Sequence, residues 1–237
     1  MRIALLSDVH ANLVALEAVL ADMPAVEGLW ILGDTVGYGP DPSDVLALLR
    51  QRGALLVAGN HDQAVGTGHG LEAFNPVAAK AARMHRAWLT GEERDLLASL
   101  PTLRCPDGVT LVHGSLRDPL WEYVWDVRTA HASLALAETE LSCNGHTHVP
   151  AVFTLDGGRT TSTLGRGLVR LHRRVLVNPG SVGQPRDRDP RAAWAVLDTE
   201  ARTVEFMRTA YDVAETQRRL RTRGLPGFLA DRLASGT

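Results

Sequence analysis

The stretch from Leu56 to Asp62 constrains the fold more than any other part of this 237-residue chain. It reads Leu-Val-Ala-Gly-Asn-His-Asp, so an apolar run meets a glycine and three polar side chains follow at once. The apolar run predicts a buried strand, and Gly59 predicts the turn that ends it. Open α/β sheets build their sites at the carboxyl ends of strands. Taken alone, Asn-His-Asp is also typical of a turn or a helix cap.

Four further apolar segments end in polar residues of the same kind. They lead into Asp8 and His10, into Asp34, into His113, and into Asn144, His146 and His148. Aspartate, asparagine and histidine offer the oxygen and nitrogen ligands that borderline divalent metals prefer. Five strand ends of this composition indicate a shared metal centre.

Strand and helix signals alternate through the first quarter of the chain. Residues 2–7, 28–32 and 54–57 predict strands, and helices begin between them at Asn12 and Pro42. This order of elements implies a parallel sheet with right-handed crossovers.

The later chain predicts a different arrangement. Residues 62–100 favour helices, residues 101–113 favour two short strands around a turn, and residues 129–141 favour another helix. Six short strands follow between residues 152 and 208, separated by turns, and helices end the chain. The pattern predicts a second, largely antiparallel sheet packed on the first.

Composition and charge exclude several classes of protein. Hydrophobic residues make up 45% of the chain and charged residues 22%, which is ordinary for a globular protein and fits one domain over residues 1–237. The net charge of −2 gives no indication of nucleic-acid or membrane binding. We expect a cytoplasmic protein, because there is no signal peptide and no apolar run of roughly 20 residues.

Several conspicuous residues have two interpretations. Cys105 and Cys143 are expected to be reduced thiols, with Cys143 as a soft metal ligand in the alternative. Trp121, Tyr123 and Trp125 form an aromatic cluster that either packs under a loop or acts as a lid contacting substrate. Three histidines without a strand end to present them are not expected to be ligands, namely His69, His85 and His131.

Taken in order, these motifs resemble the calcineurin-like metallophosphoesterases over nearly the whole chain. The motifs are Asp8-x-His10, Gly33-Asp34, Gly59-Asn60-His61-Asp62, His113-Gly114 and Gly145-His146-x-His148. The chain looks closest to a small bacterial branch that carries a segment similar to residues 178–186. The resemblance and the predicted elements together give an α/β (α+β) fold, a four-layer αββα sandwich of two mixed sheets flanked by helices.

The resemblance implies two divalent metal ions. The first ion would take Asp8, His10 and His148, the second would take Asn60, His113 and His146, and Asp34 would bridge them. Manganese is the first expectation for both ions, with iron, zinc or nickel as alternatives. Such a pair generates hydroxide near neutral pH for in-line attack on phosphorus.

The resemblance also implies catalytic and substrate-binding residues. His61 would be the general acid for the leaving oxygen or a donor to a phosphate oxygen. Asp62 would orient His61 or cap the following helix. Asn60, His61 and Arg186 are the predicted contacts to a small phosphate-ester substrate, and a guanidinium suits phosphate in particular.

One departure from the superfamily pattern bears on the substrate. Protein serine/threonine phosphatases carry Gly-Asp-x-x-Asp-Arg-Gly at the bridging position, whereas residues 33–39 here read Gly-Asp-Thr-Val-Gly-Tyr-Gly. The missing Asp-Arg argues against a protein phosphatase and weakens an assignment to symmetrical dinucleoside tetraphosphate hydrolysis. We therefore expect a phosphodiesterase first and a phosphomonoesterase second. The rival hypotheses are a non-catalytic protein-binding scaffold on the same fold and a nuclease.

Overall fold

The computed structural model describes residues 1–237 and contains twelve strands and eight α-helices. The strands are β1 (Arg2–Leu6), β2 (Gly28–Leu32), β3 (Leu55–Val57), β4 (Leu103–Arg104), β5 (Val109–Val112), β6 (Leu141–Cys143), β7 (Ala151–Asp156), β8 (Arg159–Leu164), β9 (Gly167–Arg170), β10 (Arg174–Asn178), β11 (Ala192–Asp198) and β12 (Thr203–Thr209). The α-helices are α1 (Leu13–Asp22), α2 (Pro42–Gln51), α3 (Asn60–Thr67), α4 (Pro76–Trp88), α5 (Gly91–Ser99), α6 (Val127–Leu134), α7 (Val213–Thr222) and α8 (Gly227–Asp231).

The strands form two mixed sheets of six strands each. The order in the first sheet is β3-β2-β1-β11-β12-β9, and the order in the second is β4-β5-β6-β10-β7-β8. Strands β1, β2 and β3 pair in parallel, as do β5, β6 and β10. The predicted β-α-β-α-β unit at the start of the chain is therefore confirmed, with α1 and α2 as its crossovers.

Strand β1 shows how the sequence builds the layers. Ile3 and Leu5 lie in the core between the two sheets, whereas Ala4 and Leu6 pack against α1 and α2 on the outer face. Because side chains alternate along a strand, an element buried on both faces must be apolar throughout. The run from Ile3 to Leu6 meets that requirement.

Helices cover the outer face of each sheet, so the predicted four-layer αββα sandwich is confirmed. Helices α1 and α2 cover the first sheet. Ala130 and Leu134 of α6 pack on Phe153 and Leu176 of the second sheet. No helix is both long and apolar enough to cross a bilayer.

Two predictions about the later chain are wrong. The late strands do not form a sheet of their own: β9, β11 and β12 extend the first sheet, and β7, β8 and β10 extend the second. Strand β11 pairs antiparallel with β1, joining Arg2 to Asp198. Hydrophobic periodicity indicates which face of a strand is buried but not which strand lies beside it. The assignment of the late strands to the two sheets therefore could not be predicted from short windows of sequence.

The helix predicted over residues 129–141 is also shorter than expected. Asp126 caps α6 by accepting hydrogen bonds from the N–H groups of Arg128 and Thr129, and the helix ends at Leu134. Residues 141–143 form the buried strand β6 between β5 and β10. Alanine and leucine after residue 134 favour helix intrinsically, but the sheet sets the conformation of Leu141, the last residue of the predicted helix.

Candidate metal centre

Most of the predicted metal ligands lie in sharp turns that follow strands. Asp8, His10, Asp34, His146 and His148 all have positive φ angles, between 47° and 67°. Residues other than glycine rarely adopt this left-handed backbone, at a cost of about 1–3 kcal/mol each. Five such residues in one place indicate strain that is retained for a site rather than for the fold.

The side chains of the first predicted ligand group lie close together. Asp8 Oδ1 lies 3.0 Å from His148 Nε2 and 3.7 Å from His10 Nε2, and the two ring nitrogens are 3.1 Å apart. All three side chains are buried. The geometry places three donor atoms around one point, which is what a single cation requires.

The second group lies beside the first. His113 Nε2 is 3.0 Å from His146 Nδ1 and 3.3 Å from Asp34 Oδ2. Asn60 lines the same cavity as Asp34 and His146, and its Oδ1 is buried without a hydrogen-bond partner. The predicted ligands of the second ion therefore lie around Asp34.

Asp34 stands between the two groups. Its Oδ2 lies 3.7 Å from His10 Nε2 and 3.3 Å from His113 Nε2, one histidine from each group. Its Oδ1 accepts a hydrogen bond of 2.9 Å from the N–H of His61, which fixes the carboxylate. A bridging carboxylate needs this position.

The histidines are oriented by the backbone. In each ring the outer nitrogen contacts a main-chain carbonyl: His10 Nδ1 with Val36, His113 Nδ1 with Leu32, His148 Nδ1 with Gln184, and His146 Nε2 with Trp121. A carbonyl can only accept, so the outer nitrogen donates its proton. In a neutral ring the inner nitrogen then presents its lone pair to the cluster, as metal-binding histidines do.

The unpaired polar atoms test whether this donor set fits metal ions. Asp8 Oδ1 and Asn60 Oδ1 are buried and accept no hydrogen bond. Buried polar atoms are almost always paired, and a carboxylate oxygen without a donor is especially costly. Two pairs of histidine nitrogens also face each other at 3.0–3.1 Å. Cations among these atoms would satisfy all of them, so the residues fit the metal pair.

Burial and charge favour the protonation states that metal ligands need. Burial lowers the pKa of His10 and His148, and it lowers the pKa of His146 to about 3. These rings are therefore neutral at pH 7. Burial alone would raise the pKa of Asp8, but the neighbouring His148 outweighs it and holds that pKa below its ordinary value.

Asp34 and the neighbouring histidines stabilise each other's charged forms. Burial works against ionisation of Asp34, yet the adjacent histidines, with His113 foremost, keep its pKa below the ordinary value. Burial would lower the pKa of His113, but Asp34 outweighs it and raises that pKa to about 9.

Asp62 makes no hydrogen bond to the ring of His61. Its two oxygens accept hydrogen bonds of 3.0 Å from the N–H groups of Val36 and Gly59, so it caps α3. His61 Nδ1 has no hydrogen-bond partner. Of the two roles predicted for Asp62, the structure shows helix capping. Burial and the nearby Asp34 raise the pKa of Asp62 to about 7.

His61 lies beside His10 and Asp34, within reach of the same cation, in an aromatic environment. Its ring centre is 4.5 Å from the ring centres of Tyr38 and Phe74 and 5.0 Å from that of His10. Burial lowers the pKa of His61 to about 4, against the opposing pull of Asp34.

The predicted loop at residues 178–186 lies beside the ligands. The Ser181 hydroxyl and the Gly183 N–H both donate to the carbonyl of Asp8, at 2.8 and 3.0 Å. Arg186 donates through Nη2 to Gln184 Oε1, and its Nε is buried without a partner.

A cavity of about 140 Å³ opens over the ligands. Its lining combines polar and aromatic side chains: Asp34, Tyr38, Asn60, His61, Ala73, Phe74, Asn75, Trp121, Tyr123, His146, His148 and Arg186. All three predicted substrate contacts, Asn60, His61 and Arg186, therefore face one space. Since a water takes up roughly 30 Å³ in the liquid, a phosphate group fits.

Sequence reasoning missed the residues that support the site. His85 was expected not to be a ligand, and it lies outside the ligand groups. It instead holds the turn after β2, accepting from the Gly37 N–H at 3.0 Å and contacting the Gly39 carbonyl at 2.8 Å through Nε2. Tyr38 between two glycines was the signal that this turn is unusual. Cys143 packs in the core between the sheets, and burial raises the pKa of its thiol to about 12, which does not favour a metal ligand.

Known proteins share this architecture. The family model described as the calcineurin-like phosphoesterase superfamily domain matches residues 1–202. An uncharacterized protein of Methanocaldococcus jannaschii is 32% identical over 243 aligned residues, covering 99% of this chain and 98% of that protein. The crystal structure of a metallophosphoesterase from Sphaerobacter thermophilus has a TM-score of 0.90 and 42% identity, covering 100% of this chain and 99% of that one.

A more distant relative carries a named activity. A symmetrical bis(5'-nucleosyl)-tetraphosphatase of Pectobacterium carotovorum is 31% identical over 137 residues, which cover 55% of this chain. The match spans only 42% of that relative's length.

The fold, the ligand groups and these relatives define a metallophosphoesterase. The chain belongs to the calcineurin-like phosphoesterase superfamily.

Proposed function

We propose that this protein hydrolyses phosphodiesters with the help of two divalent cations, manganese first among them, and that phosphomonoesters are its second substrate class. The observation that supports this most directly is the position of Asp34, whose Oδ2 faces a histidine of each ligand group. Two cations sharing a carboxylate lower the pKa of water and neutralise charge on a phosphate.

The protein's own residues hold and orient the ester. Arg186 faces the same cavity as Asn60 and His61, so its guanidinium can bind an oxygen of a phosphate held in that cavity. Asn60 and His61 lie at the start of α3, where the helix dipole favours an anion.

His61 supplies the proton-donating group. Its backbone N–H is bound to Asp34, and its ring is packed between Tyr38 and Phe74, so the imidazole has little freedom to turn away. Positioned donors of this kind contribute about 10²–10⁴-fold to a reaction rate. Because burial lowers the pKa of the free ring to about 4, the ring is neutral near pH 7 until the negative charge of a bound ester raises that pKa. We expect the ring protonated in this way to donate to the leaving oxygen.

The test compares bis-p-nitrophenyl phosphate and p-nitrophenyl phosphate on chelator-stripped protein, with and without added manganese. Metal-dependent turnover that favours the diester is expected. A preference for the monoester would make the protein a phosphatase. Absence of turnover on protein shown to bind two ions would contradict the proposed enzymatic activity. It would favour the rival hypothesis of a non-catalytic protein-binding scaffold.

His61→Ala tests the proton donor, with His131→Ala as its matched control, because His131 is an exposed histidine on α6. His61→Ala is expected to retain its metal and lose about 10²-fold or more in turnover, with greater losses for poorer leaving groups than p-nitrophenol. A uniform loss across leaving groups would assign His61 to phosphate binding. Loss of metal would make it structural.

A further inference from the structure

Arg186 reaches the cavity without an acidic partner in the chain. It lines the cavity together with His61, and its guanidinium carbon lies 5.9 Å from the ring centre of Tyr38. The acidic residue next to it in the sequence, Asp187, forms its salt bridge with Arg208 instead. The positive charge of Arg186 is therefore not neutralised by a carboxylate side chain and stays available to an anion in the cavity.

A neutral amide holds this guanidinium in place. Gln184 Oε1 accepts a hydrogen bond of 2.9 Å from Arg186 Nη2 and a second one of 3.0 Å from Arg232 Nη1. Gln184 is buried, and its backbone carbonyl contacts the ring of His148. A carboxylate in place of the amide would form ion pairs with both guanidiniums and would repel a phosphate. The amide provides the same hydrogen bonds without a negative charge.

Arg232 follows α8 and does not line the cavity. Besides Gln184, it contacts the carbonyl oxygen of Thr237 through Nε, and its guanidinium carbon lies 5.2 Å from the ring centre of Phe228. Burial and the positive charge of Arg186 lower the pKa of Arg232 to about 10, so it remains protonated at pH 7. A second fixed cation thus lies on the side of Gln184 that is away from the cavity.

The segment that carries Arg232 is anchored independently of this hydrogen bond. Leu229 and Leu233 lie in one apolar cluster with Tyr38, which itself lines the cavity. The Arg188 N–H donates to the Gly236 carbonyl at 2.8 Å, which joins the same segment to the loop that carries Arg186. Because packing sets the position of Arg232, its guanidinium can restrain the side chain of Gln184.

We propose that Gln184 and Arg232 are positioning residues, which hold the guanidinium of Arg186 toward the phosphate group while leaving its charge uncompensated; this rests on the proposed function. Arg232 fixes Gln184 Oε1, and Gln184 fixes Arg186. Neither residue lines the cavity, so neither contacts the ester. Arg186 would bind the phosphate in the ground state as well as in the transition state, so a loss of this support weakens binding more than it slows the chemical step.

Calorimetry with inorganic phosphate on manganese-loaded protein, freed of excess metal, measures this support directly. Arg232→Met removes the charge and the hydrogen bond but keeps an unbranched side chain, and it is expected to raise the Kd for phosphate about 3- to 10-fold. Arg232→Lys should recover part of the loss, because it retains the charge. Arg218→Met is the matched control, since Arg218 is an exposed arginine on α7 that pairs with Glu215.

Gln184→Glu separates the uncompensated charge from a merely structural role. The carboxylate has the shape of the amide and can accept both hydrogen bonds, so a structural role predicts no loss of phosphate binding. The proposed role predicts a Kd raised about 10-fold or more, because the new charge pairs with Arg186. Each variant is compared at the manganese content of the parent.

Turnover of bis-p-nitrophenyl phosphate on the same proteins distinguishes this proposal from the catalytic one. The KM should rise by the same factor as the Kd for phosphate, with kcat changed by less than about twofold. A fall in kcat at unchanged KM and Kd, or tight phosphate binding by Gln184→Glu, overturns the positioning role. Equal weakening in Arg218→Met, or failure of the parent to bind phosphate, also overturns it. The expected Kd changes without any turnover would support the positioning role and contradict the phosphodiesterase.

Discussion

Asp34 is held from three directions, and each contact restricts what its carboxylate can bind. The backbone is left-handed at φ 53°, one oxygen accepts from the His61 N–H, and the other oxygen lies between His10 and His113. The only side-chain nitrogens that Oδ2 faces are therefore those of these two histidines. An oxygen so placed is suited to share two cations.

We expect Asp34→Asn to retain fewer than two equivalents of manganese. The amide keeps the shape of the side chain but loses the charge, and only one of its two polar atoms can accept. Asp62→Asn is the matched control, because Asp62 is equally buried nearby and bonds only backbone N–H groups. The measurement is the manganese content of each protein after gel filtration. Two full equivalents of manganese in Asp34→Asn would contradict the bridging role of Asp34.

Gly59 allows the third strand to approach the bridging residue. A Cβ at this position would lie 2.0 Å from Asp34 Oδ1 and 2.3 Å from the backbone nitrogen of Asp34. Gly59→Ala is therefore expected to lower the free energy of unfolding by about 2 kcal/mol or more. Gly91→Ala should change it by at most about 0.5 kcal/mol, because nothing lies within 4 Å of a Cβ there. Urea denaturation measures the free energy of unfolding of both variants and of the parent protein. Equal values for Gly59→Ala and the parent would show that the loop at residue 59 relaxes to accommodate the methyl group.

At the residue scale the sequence predicted the ligand groups but not the contacts that hold their side chains in place. Asp8, His10 and Asp34 stand out in the sequence because each lies within four residues of the end of an apolar run. The carbonyls that orient the rings belong to ordinary residues such as Val36 and Leu32, and nothing in their side chains marks them. Every residue type has a backbone carbonyl, so a contact made by the backbone cannot be predicted from residue type.

At the scale of elements, α4 supports the turn that follows β2. His85 on α4 is fully buried and reaches the backbone of Gly37 and Gly39. The same turn presents Tyr38 to the ring of His61. A helix that provides no predicted ligand therefore sets the position of the His61 environment.

The buried His85 gives this helix a measurable dependence on pH. Burial lowers the pKa of His85 to about 4, from an ordinary value near 6.5. The unfolded chain takes up a proton below pH 6.5 and the folded chain does not until about pH 4, so this contribution to stability is complete above pH 6.5 and is lost as the pH falls toward 4. The loss is about 2 kcal/mol between pH 7.5 and pH 5.

His85→Gln tests this, because glutamine can replace both hydrogen bonds but does not titrate. Unfolding free energies of both proteins at pH 7.5 and pH 5 isolate the contribution, since other histidines titrate equally in each. The variant is expected to lose about 2 kcal/mol less than the parent on acidification. An identical loss in both proteins would show that His85 is not the group responsible.

Local signals predicted most elements, whereas their arrangement came from contacts distant in sequence. Asn12, Asn75 and Thr90 cap α1, α4 and α5 as their residue types suggest. The division of the late strands between two sheets depends on pairings such as Arg2 with Asp198. No short window of sequence contains both partners of such a pair.

At the scale of the molecule, the ligand groups connect the two sheets. Asp8, His10 and Asp34 follow strands of the first sheet, and His113 and His146 follow strands of the second. Each proposed ion would therefore take ligands from both sheets, because His148 lies with Asp8 and His146 lies with Asp34. Metal binding should then stabilise the whole sandwich and not the loops alone.

Removing metal is accordingly expected to lower the melting temperature of the whole protein. A ligand that binds only the folded chain stabilises it by about 2.7 kcal/mol at a hundredfold excess over its Kd. For a chain of this size that corresponds to roughly 5–10 °C. Chelator-stripped protein titrated with manganese should therefore show a melting temperature that rises with metal concentration, in a single transition. Asp34→Asn should show a smaller rise. A rise confined to a separate minor transition, with the main transition unmoved, would mean that the ions stabilise the loops alone and do not join the sheets.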